Sequence, residues 1–306
     1  MTDTPTPPRL VLTARDAAIC LAAHEHRLLD ARILGWLFFP SAAGGAVDER
    51  AGPSSAVHRR ASLLADHGYL RRVYRPVLPG AGQAPLAYAL GARGVALVAG
   101  RYGLDPAALA IPKRDATSPL FVDHTLGTTR AYAALAAGCA RTPDVRLEDW
   151  VGEGTLRRAS TRSAVQGRSE GHQRDVPPIP DGTGRLVHDD GTGRLFTARI
   201  FCELDRGTET NARVAAKFSA YAAYMRSARY AATYGESIAL ILWVVTGPKR
   251  LANTLRTIAA VARDEPTLRS RVLGAVLADL TPGATLGPVW TVADTGERRP
   301  LLRRER

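Results

Sequence analysis

The sequence has few cysteines and no long hydrophobic run, and both features limit the class of protein to which it can belong. Its three cysteines, Cys20, Cys139 and Cys202, lie far apart without metal-ligand spacing, which argues against a disulfide framework and a structural zinc site. The longest apolar run, Ile238–Val245, is far too short to span a bilayer. Residues 1–9 are polar and proline-rich and have no secretory pattern. We therefore expect a cytoplasmic protein without a membrane partner.

Lysine is almost absent as well. Lys113, Lys217 and Lys249 are the only lysines among 41 basic residues, and the other 38 are arginines. The net charge of +12 makes an acidic polymer such as DNA a candidate partner, because neutralising phosphates releases counterions. An arginine-biased composition also places arginines on the solvated surface, so charge alone leaves nucleic-acid binding undecided. The length of 306 residues is about twice that of one domain and predicts two domains.

Residues 10–104 carry the pattern of a winged helix-turn-helix domain. Hydrophobic periodicity and capping residues predict three helices with short connections. The period then changes to that of two short strands around a Pro/Gly-rich tip. A further helix over Ala92–Tyr102 is expected to pack on this core or to form a dimer. The three predicted helices are 13–25, 31–39 and 53–66, and the two predicted strands are 69–75 and 86–90.

The third predicted helix has one apolar face, formed by Val57, Ala61 and Leu64, and burying that face exposes the opposite one. In a winged helix the exposed face enters the major groove, while the wing lies beside the sugar-phosphate backbone. Arg59 is the first candidate for a base contact. The alternative is that these charges are merely solvated. The candidate DNA-binding residues are Ser55, His58, Arg59, Arg60 and Ser62 on the helix and Arg71, Arg72 and Arg75 on the wing.

A linker and a second domain follow. Residues 105–117 are predicted to be the linker, because prolines interrupt any apolar period there. Residues 118–306 give the order helix, three strands, helix, strand, with an added helix and strand, which predicts a mixed sheet flanked by helices and hence an α/β (α+β) protein. The arginine-rich stretch 155–176 is expected to be a loop that either clamps DNA or is a surface insertion. The predicted elements are 123–139, 145–151, 185–188, 195–205, 209–232, 237–246, 248–263 and 271–278.

Acidic side chains accompany the two strands of a predicted hairpin in this domain. Asp181 precedes the first strand, and by strand periodicity Glu203 and Asp205 share one face at the end of the second. Two neighbouring carboxylates are mutually unfavourable unless a cation or an arginine lies between them. On the next predicted helix, Lys217 and Tyr221 are one turn apart on one face.

Several short motifs along the chain, taken together, resemble those of a known protein family. They are His124-x-Leu126, Trp150-x-x-Glu153, Pro180-Asp181-Gly182, Glu203-x-Asp205-Arg206-x-Thr208-Glu209, Lys217-x-x-x-Tyr221 and Gly287-x-x-Trp290. With the predicted winged helix, their order and spacing over residues 15–290 resemble the replication-relaxation family of bacterial mobile elements. The resemblance implies a role in plasmid replication and in the relaxation or processing of plasmid DNA. It implies double-stranded DNA, and replication or relaxation proteins of the same element, as partners.

The second domain also resembles the restriction-endonuclease-like PD-(D/E)XK fold, in which a Pro-Asp and a downstream Glu bind magnesium. Asp181 and Glu203 match those two positions. The resemblance implies Mg²⁺, or Mn²⁺, held by Asp181, Glu203 and Asp205, where the metal polarises a phosphate and activates water. The sequence departs from the pattern because Asp205 occupies the position where that fold carries its lysine.

The RecB-like branch of this fold carries a Gln-x-x-x-Tyr signature where this chain has Lys217 and Tyr221, so the resemblance implies Lys217 as a migrated lysine. His124 would add a ligand from the preceding helix. Alternatively, the carboxylates are paired with Arg199 or Arg206 at a strand end. The leading hypothesis is a DNA-binding protein that nicks plasmid DNA with a metal. The competing one is a non-enzymatic regulator or replication accessory with a degenerate nuclease-like domain that forms a homodimer or recruits a partner.

Overall fold

The computed structural model describes residues 10–39, 53–74, 86–109, 118–157, 178–235 and 238–302. Helices and strands are mixed along the chain, so the protein is α+β, as predicted. It divides into two compact units, Met1–Arg130 and Ala131–Arg306. Within the described ranges, no helix is long and apolar enough to cross a membrane. The predicted contacts that lie outside these ranges are Arg75 of the wing and Arg158, Arg162, Arg168 and Arg174 of the arginine-rich loop.

The first unit combines helices with a three-stranded antiparallel sheet. In chain order it contains α1 (Ala14–Glu25), β1 (Leu29–Asp30), α2 (Ala31–Phe38), α3 (Ser55–Asp66), β2 (Leu70–Val73), β3 (Ala87–Leu90), α4 (Ala92–Tyr102) and α5 (Pro106–Leu109). The central strand β3 pairs with both β1 and β2. The predicted order of three helices, two strands and a helix is confirmed. Strand β1 is an addition, because two residues are too few to show an alternating pattern.

Local signals explain where the first two helices begin. Thr13 precedes α1 and forms a capping box with Asp16, in which each side chain accepts a backbone N–H of the other residue. Asp30 precedes α2, and its Oδ1 accepts the N–H of Ile33 at 2.8 Å. The predicted apolar face of α3 is buried in the unit's core, and its residues are Val57, Ala61 and Leu64.

One helical turn lies within the predicted linker. In α5 the carboxylate of Asp105 accepts the N–H of Ala107 at 2.9 Å, and Leu109 is buried. Pro106 occupies the first helical position, where proline is tolerated because its missing N–H would have no partner in the helix. The proline that suggested a linker therefore begins a helix, while residues 110–117 lie outside the described ranges.

The second unit is built on a seven-stranded mixed sheet. In chain order its elements are the end of α6 (Pro119–Ala140), β4 (Val145–Gly152), β5 (Gly182–Asp189), β6 (Leu195–Asp205), α7 (Asn211–Arg226), α8 (Ala228–Tyr234), β7 (Ile238–Val245), α9 (Pro248–Asp264), β8 (Val272–Val276), β9 (Trp290–Val292) and β10 (Arg298–Arg299). The strand order is β10-β9-β8-β7-β6-β5-β4. The pairs β6·β7 and β7·β8 are parallel and the other neighbours are antiparallel. The predicted order helix, three strands, helix, strand is confirmed.

Three details of this unit differ from the prediction. The long helix predicted over 209–232 is two helices, because Ser227 ends α7 and caps α8 by accepting the N–H of Tyr230. The residue that caps α7 is Thr210, whose hydroxyl accepts the N–H of Arg213 at 3.3 Å, so the helix begins at Asn211 and not at residue 209. Strands β9 and β10 are additions that are too short to be predicted from alternation.

A hydrophobic core holds α7 and α9 against the sheet. Trp243 of β7 is fully buried and packs edge-on against Phe218 of α7, with ring centroids 5.3 Å apart. Its indole N–H donates to the hydroxyl of Thr254 on α9 at 2.9 Å. Phe201 of β6 packs against Tyr221 of α7, with centroids 5.7 Å apart. This packing keeps one face of α7 beside β6 and β7.

Candidate functional site

The candidate site lies where β5 begins and β6 ends. Gly182 pairs with Cys202 in the antiparallel register, which brings Asp181, just before β5, beside Glu203 and Leu204. The Oδ2 atom of Asp181 accepts the backbone N–H of Leu204 at 2.7 Å. Strand β6 has neighbours on both sides, and Glu203 is only 4% exposed.

Helix α7 supplies two hydrogen-bond donors to Glu203. The Tyr221 hydroxyl donates to Oε1 at 2.5 Å, and the Lys217 ammonium donates to Oε2 at 3.0 Å. The one-turn spacing of the two donors places both on the same helix face. The structure thus brings together Asp181, Glu203, Lys217 and Tyr221, all of which were predicted from the sequence.

Burial changes the ionisation of these groups. Burial, and then the Asp181 carboxylate, raise the pKa of Glu203 to about 7. Burial lowers the pKa of Lys217, but the carboxylates of Glu203 and Glu209 outweigh burial and raise that pKa to about 12. Burial and then Glu203 raise the pKa of Tyr221 well above its usual value. At neutral pH Lys217 is therefore a charged ammonium and Tyr221 a neutral phenol. A further cation beside Glu203 would keep its carboxyl group ionised.

Asp205 lies on the same face of β6 but has different partners. It is 2% exposed, and its Oδ2 accepts a hydrogen bond from Nε of Arg250 at 2.5 Å. Its Oδ1 accepts the N–H of Gly207 at 2.8 Å. The sequence predicted Asp205 as a metal ligand or as the partner of a neighbouring arginine. Both of its oxygens are hydrogen-bonded here, and the arginine that binds it comes from the first turn of α9.

Glu153 is an acidic residue of this site that was not among the predicted ligands. It begins a helical turn over 153–157 after β4, and its N–H donates to the backbone carbonyl of Asp181 at 2.9 Å. One carboxylate oxygen of Glu153 lies within 4.8 Å of one of Asp181. The Trp150-x-x-Glu153 motif identified the residue without indicating this contact. His124 lies on α6 in the first unit, and its role as a ligand stays a prediction.

The donor set of the second unit fits a hard divalent cation. Asp181 and Glu153 offer carboxylate oxygens that are close together, and Mg²⁺ and Mn²⁺ prefer such oxygen ligands. Burial is the main cause of the raised pKa of Glu203, and the negative charge of the nearby Asp181 carboxylate adds to it. A divalent cation held between these groups would offset that repulsion.

The ring of Trp150 packs closely against Gly182, the residue after Asp181. A Cβ atom at Gly182 would lie 2.3 Å from Cζ2 of the Trp150 ring and 2.9 Å from Cε2, which is closer than such atoms approach. We expect Gly182→Ala to lower the free energy of unfolding by about 1–3 kcal/mol, as measured by urea denaturation. Gly100→Ala is the control, since among the described residues no atom outside the neighbouring backbone of its own helix lies within 4 Å of that Cβ, and a helix favours alanine. Wild-type stability of Gly182→Ala would contradict the packing.

In the first unit, the predicted DNA-contact residues divide into two sets. Arg60 donates to both carboxylate oxygens of Asp16, which is fully buried, and to the carbonyl of Val11. Arg72 donates to the carboxylate of Asp66 at 2.6 Å. These two arginines are thus held by neighbours within the unit. The other described residues of the predicted surface are Ser55, His58, Arg59 and Arg71, which are exposed, and Ser62, which is partly buried.

The protein is thus an α+β protein with a mixed sheet in its second unit. Where β5 begins and β6 ends, a buried glutamate pairs with a lysine. The family model for replication-relaxation matches residues 22–240, more than half of the chain. The chain belongs to the replication-relaxation family. Membership of this family indicates a role in the replication or relaxation of plasmids or other mobile elements. No curated protein and no solved structure matched the chain.

Proposed function

We propose that this protein binds double-stranded DNA of a plasmid or mobile element through a winged helix in its first unit and nicks DNA with a metal-dependent site in its second. The observation that carries the proposal is the convergence of Glu203 and Lys217, whose charged groups are 3.0 Å apart, with Asp181 and Tyr221 around them. These groups come from the residue just before β5, from β6 and from α7, and three of them surround one buried carboxyl.

In this proposal Asp181, Glu153 and Glu203 hold Mg²⁺ or Mn²⁺. When bound, the metal would polarise a DNA phosphate and activate a water molecule. Lys217 keeps a positive charge at neutral pH, because its pKa is raised to about 12, and it would offset the negative charge of the phosphate. The Tyr221 hydroxyl fixes the orientation of Glu203. Asp205 binds Arg250 and Gly207, and the proposal gives it no ligand role.

Nicking of supercoiled plasmid tests the enzymatic part. Wild-type protein with Mg²⁺ or Mn²⁺ is expected to convert supercoiled DNA to the open circle, and Glu203→Gln to do so about 100-fold more slowly. The control is Glu265→Gln, because Glu265 is a carboxylate of the same unit paired with Arg226 away from this cluster. Nicking by Glu203→Gln at the wild-type rate, or its absence in wild-type protein with either metal, would refute the nuclease.

One observation favours the competing function, a non-enzymatic regulator. The position two after Glu203 holds Asp205, and a salt bridge to Arg250 occupies it, so the strand lacks the cation that the nuclease pattern places there. If wild-type protein binds plasmid DNA tightly but leaves it intact with Mg²⁺ and with Mn²⁺, the second unit serves assembly or regulation instead.

The DNA-binding part predicts a specific loss at Arg59. This exposed residue of α3 lies on the face opposite the buried Val57, Ala61 and Leu64. If it contacts a base edge, Arg59→Ala should weaken binding to the preferred DNA site by about 1–3 kcal/mol and leave non-specific binding nearly unchanged. Fluorescence anisotropy at fixed salt measures both affinities. Arg101→Ala, an exposed arginine on α4, is the control. Equal loss on all sequences would assign Arg59 to phosphate contact only.

A further inference from the structure

Arg250 forms a buried connection between α9 and the loop that joins β6 to α7. Its Nε donates to Asp205, whose side chain is fully buried, while the Arg250 side chain is 18% exposed. Its Nη2 donates to the backbone carbonyl of Glu209 at 2.6 Å. One guanidinium therefore binds both the end of β6 and Glu209, which lies two residues before the start of α7.

The loop between these two contacts is short and contains a sharp turn. Gly207 has a left-handed backbone with φ of +85°, which glycine adopts without strain. Its N–H donates to Asp205 at 2.8 Å. The loop therefore turns sharply next to Asp205, and Arg250 closes the turn on the far side through Glu209.

The side chain of Glu209 leads from this loop to the candidate site. Its Oε1 accepts a hydrogen bond from Lys217 at 2.9 Å, and the same ammonium donates to Glu203 at 3.0 Å. The ammonium of Lys217 thus lies between two carboxylates, one from strand β6 and one from the loop. Moving the loop would move Glu209 and release one of the two groups that hold this ammonium.

We infer that Arg250 is a positioning residue of the site. By binding Asp205 and the backbone carbonyl of Glu209 together, Arg250 holds the Glu209 side chain against Lys217. This contact in turn keeps Lys217 at Glu203. Asp205 occupies the position where the nuclease pattern has a lysine, and this inference gives Asp205 a different role. Asp205 anchors the Arg250 guanidinium, which positions Lys217 of α7 through Glu209. The importance of the site rests on the proposed function. The contact itself requires neither DNA nor metal.

A zero-length cross-link tests this arrangement. A water-soluble carbodiimide joins an amine to a carboxylate only when the two are in contact, and the chain has only three lysines. Trypsin cleaves after Arg206 and Arg213, which puts Glu203, Glu209 and Lys217 on separate peptides. Fragment spectra distinguish the side-chain amide between Glu209 and Lys217 from an uncleaved bond after Arg213, which has the same mass. The wild-type protein is expected to give this amide.

The variants Arg250→Gln and Arg250→Lys are compared with Arg256→Gln, an exposed arginine on the same helix, after circular dichroism has shown which are folded. In Arg250→Gln the yield of the amide should fall about tenfold, a typical coupling within one hydrogen-bond network. Arg250→Lys keeps a charge beside Asp205 but lacks the planar fork that reaches two acceptors. It should fold and still lose the amide, so it carries the test if Arg250→Gln does not fold.

The outcomes separate this inference from the proposed function. Absence of the amide in wild-type protein, or a wild-type yield in either folded Arg250 variant, overturns the positioning role. A low yield in both, with a normal yield in Arg256→Gln, supports it whether or not the protein cuts plasmid. If the protein does nick DNA, Arg250→Lys should lower kcat at least about tenfold and leave KM for DNA nearly unchanged, as expected when a transition-state contact is misplaced.

Discussion

Replacing Lys217 by methionine is expected to reduce metal-dependent nicking about 100- to 1000-fold, the range found when one charged or hydrogen-bonding group is removed from a preorganised site. Methionine keeps the length and most of the packing of the side chain but has no charge. The ammonium bridges Glu203 and Glu209 and lies 5.4 Å from the ring centroid of Trp243. Its loss leaves a buried carboxyl without its cation and leaves no positive group of α7 beside Glu203.

The same change should lower stability in the absence of metal and DNA. Breaking a buried ion pair by removing one partner is costly. Because the Lys217 side chain is 28% exposed, we expect a loss of about 2 kcal/mol, below the range for fully buried pairs. Adding Glu203→Gln to Lys217→Met should restore part of this loss, since the more buried of the two carboxyl groups that Lys217 binds is then absent. Urea denaturation of the two single variants and the double variant measures the coupling.

A matched lysine separates this effect from a general loss of charge. Lys249 is exposed on α9, so Lys249→Met should be stable and should nick DNA at nearly the wild-type rate. If Lys217→Met is as active as Lys249→Met, Lys217 has no part in the chemistry. If the Lys217→Met variant is fully stable and the double variant is no better, the observed ion pair contributes nothing to folding.

Arg60→Ala is expected to be the most destabilising single change in the recognition surface predicted on α3. Arg60 was predicted to contact DNA, but its guanidinium binds both oxygens of Asp16, whose side chain is fully buried. Its removal leaves a buried carboxylate unpaired, at a cost of about 3 kcal/mol. Arg59→Ala, one residue earlier and exposed, should leave stability unchanged. Equal stability of the two variants would show that the Asp16 pair is not formed in solution.

The effect of Arg60→Ala should depend on pH in a defined direction. Burial raises the pKa of Asp16, but hydrogen bonds from Arg60 and Thr13 outweigh burial, so that pKa is below its ordinary value. The stability gained from ionised Asp16 is therefore present above the unfolded-state pKa and is lost as the pH falls through the folded-state value. Without Arg60 this gain is smaller, because only the hydrogen bonds of Thr13 then oppose the effect of burial. The difference in unfolding free energy between wild type and variant should thus be larger at pH 7 than at pH 4. A larger difference at pH 4 would contradict this assignment.

The candidate site could be predicted in part because two of its spacings are local. Strand alternation placed Glu203 and Asp205 on one face, and the helical repeat placed Lys217 and Tyr221 one turn apart. The antiparallel hairpin then brought Asp181 beside them. Glu153 was not predicted as a neighbour of Asp181, because their contact depends on how β4 lies beside β5 and on the turn that follows β4. Neither the pairing of β4 with β5 nor the turn after β4 can be predicted from the periodicity of a single segment.

The order of helices and strands, the buried face of α3 and the pairs of residues that share a face could all be predicted from the amino-acid sequence. This was possible because periodicity and capping act over a few neighbouring residues. Which charged side chains contact each other depends instead on tertiary packing. Arg250 reaches Asp205 across 45 positions, and Arg60 reaches Asp16 across 44. Such pairs form because packed elements bring distant segments together and a buried carboxylate must find a cation, and the choice of cation depends on strand register and helix placement.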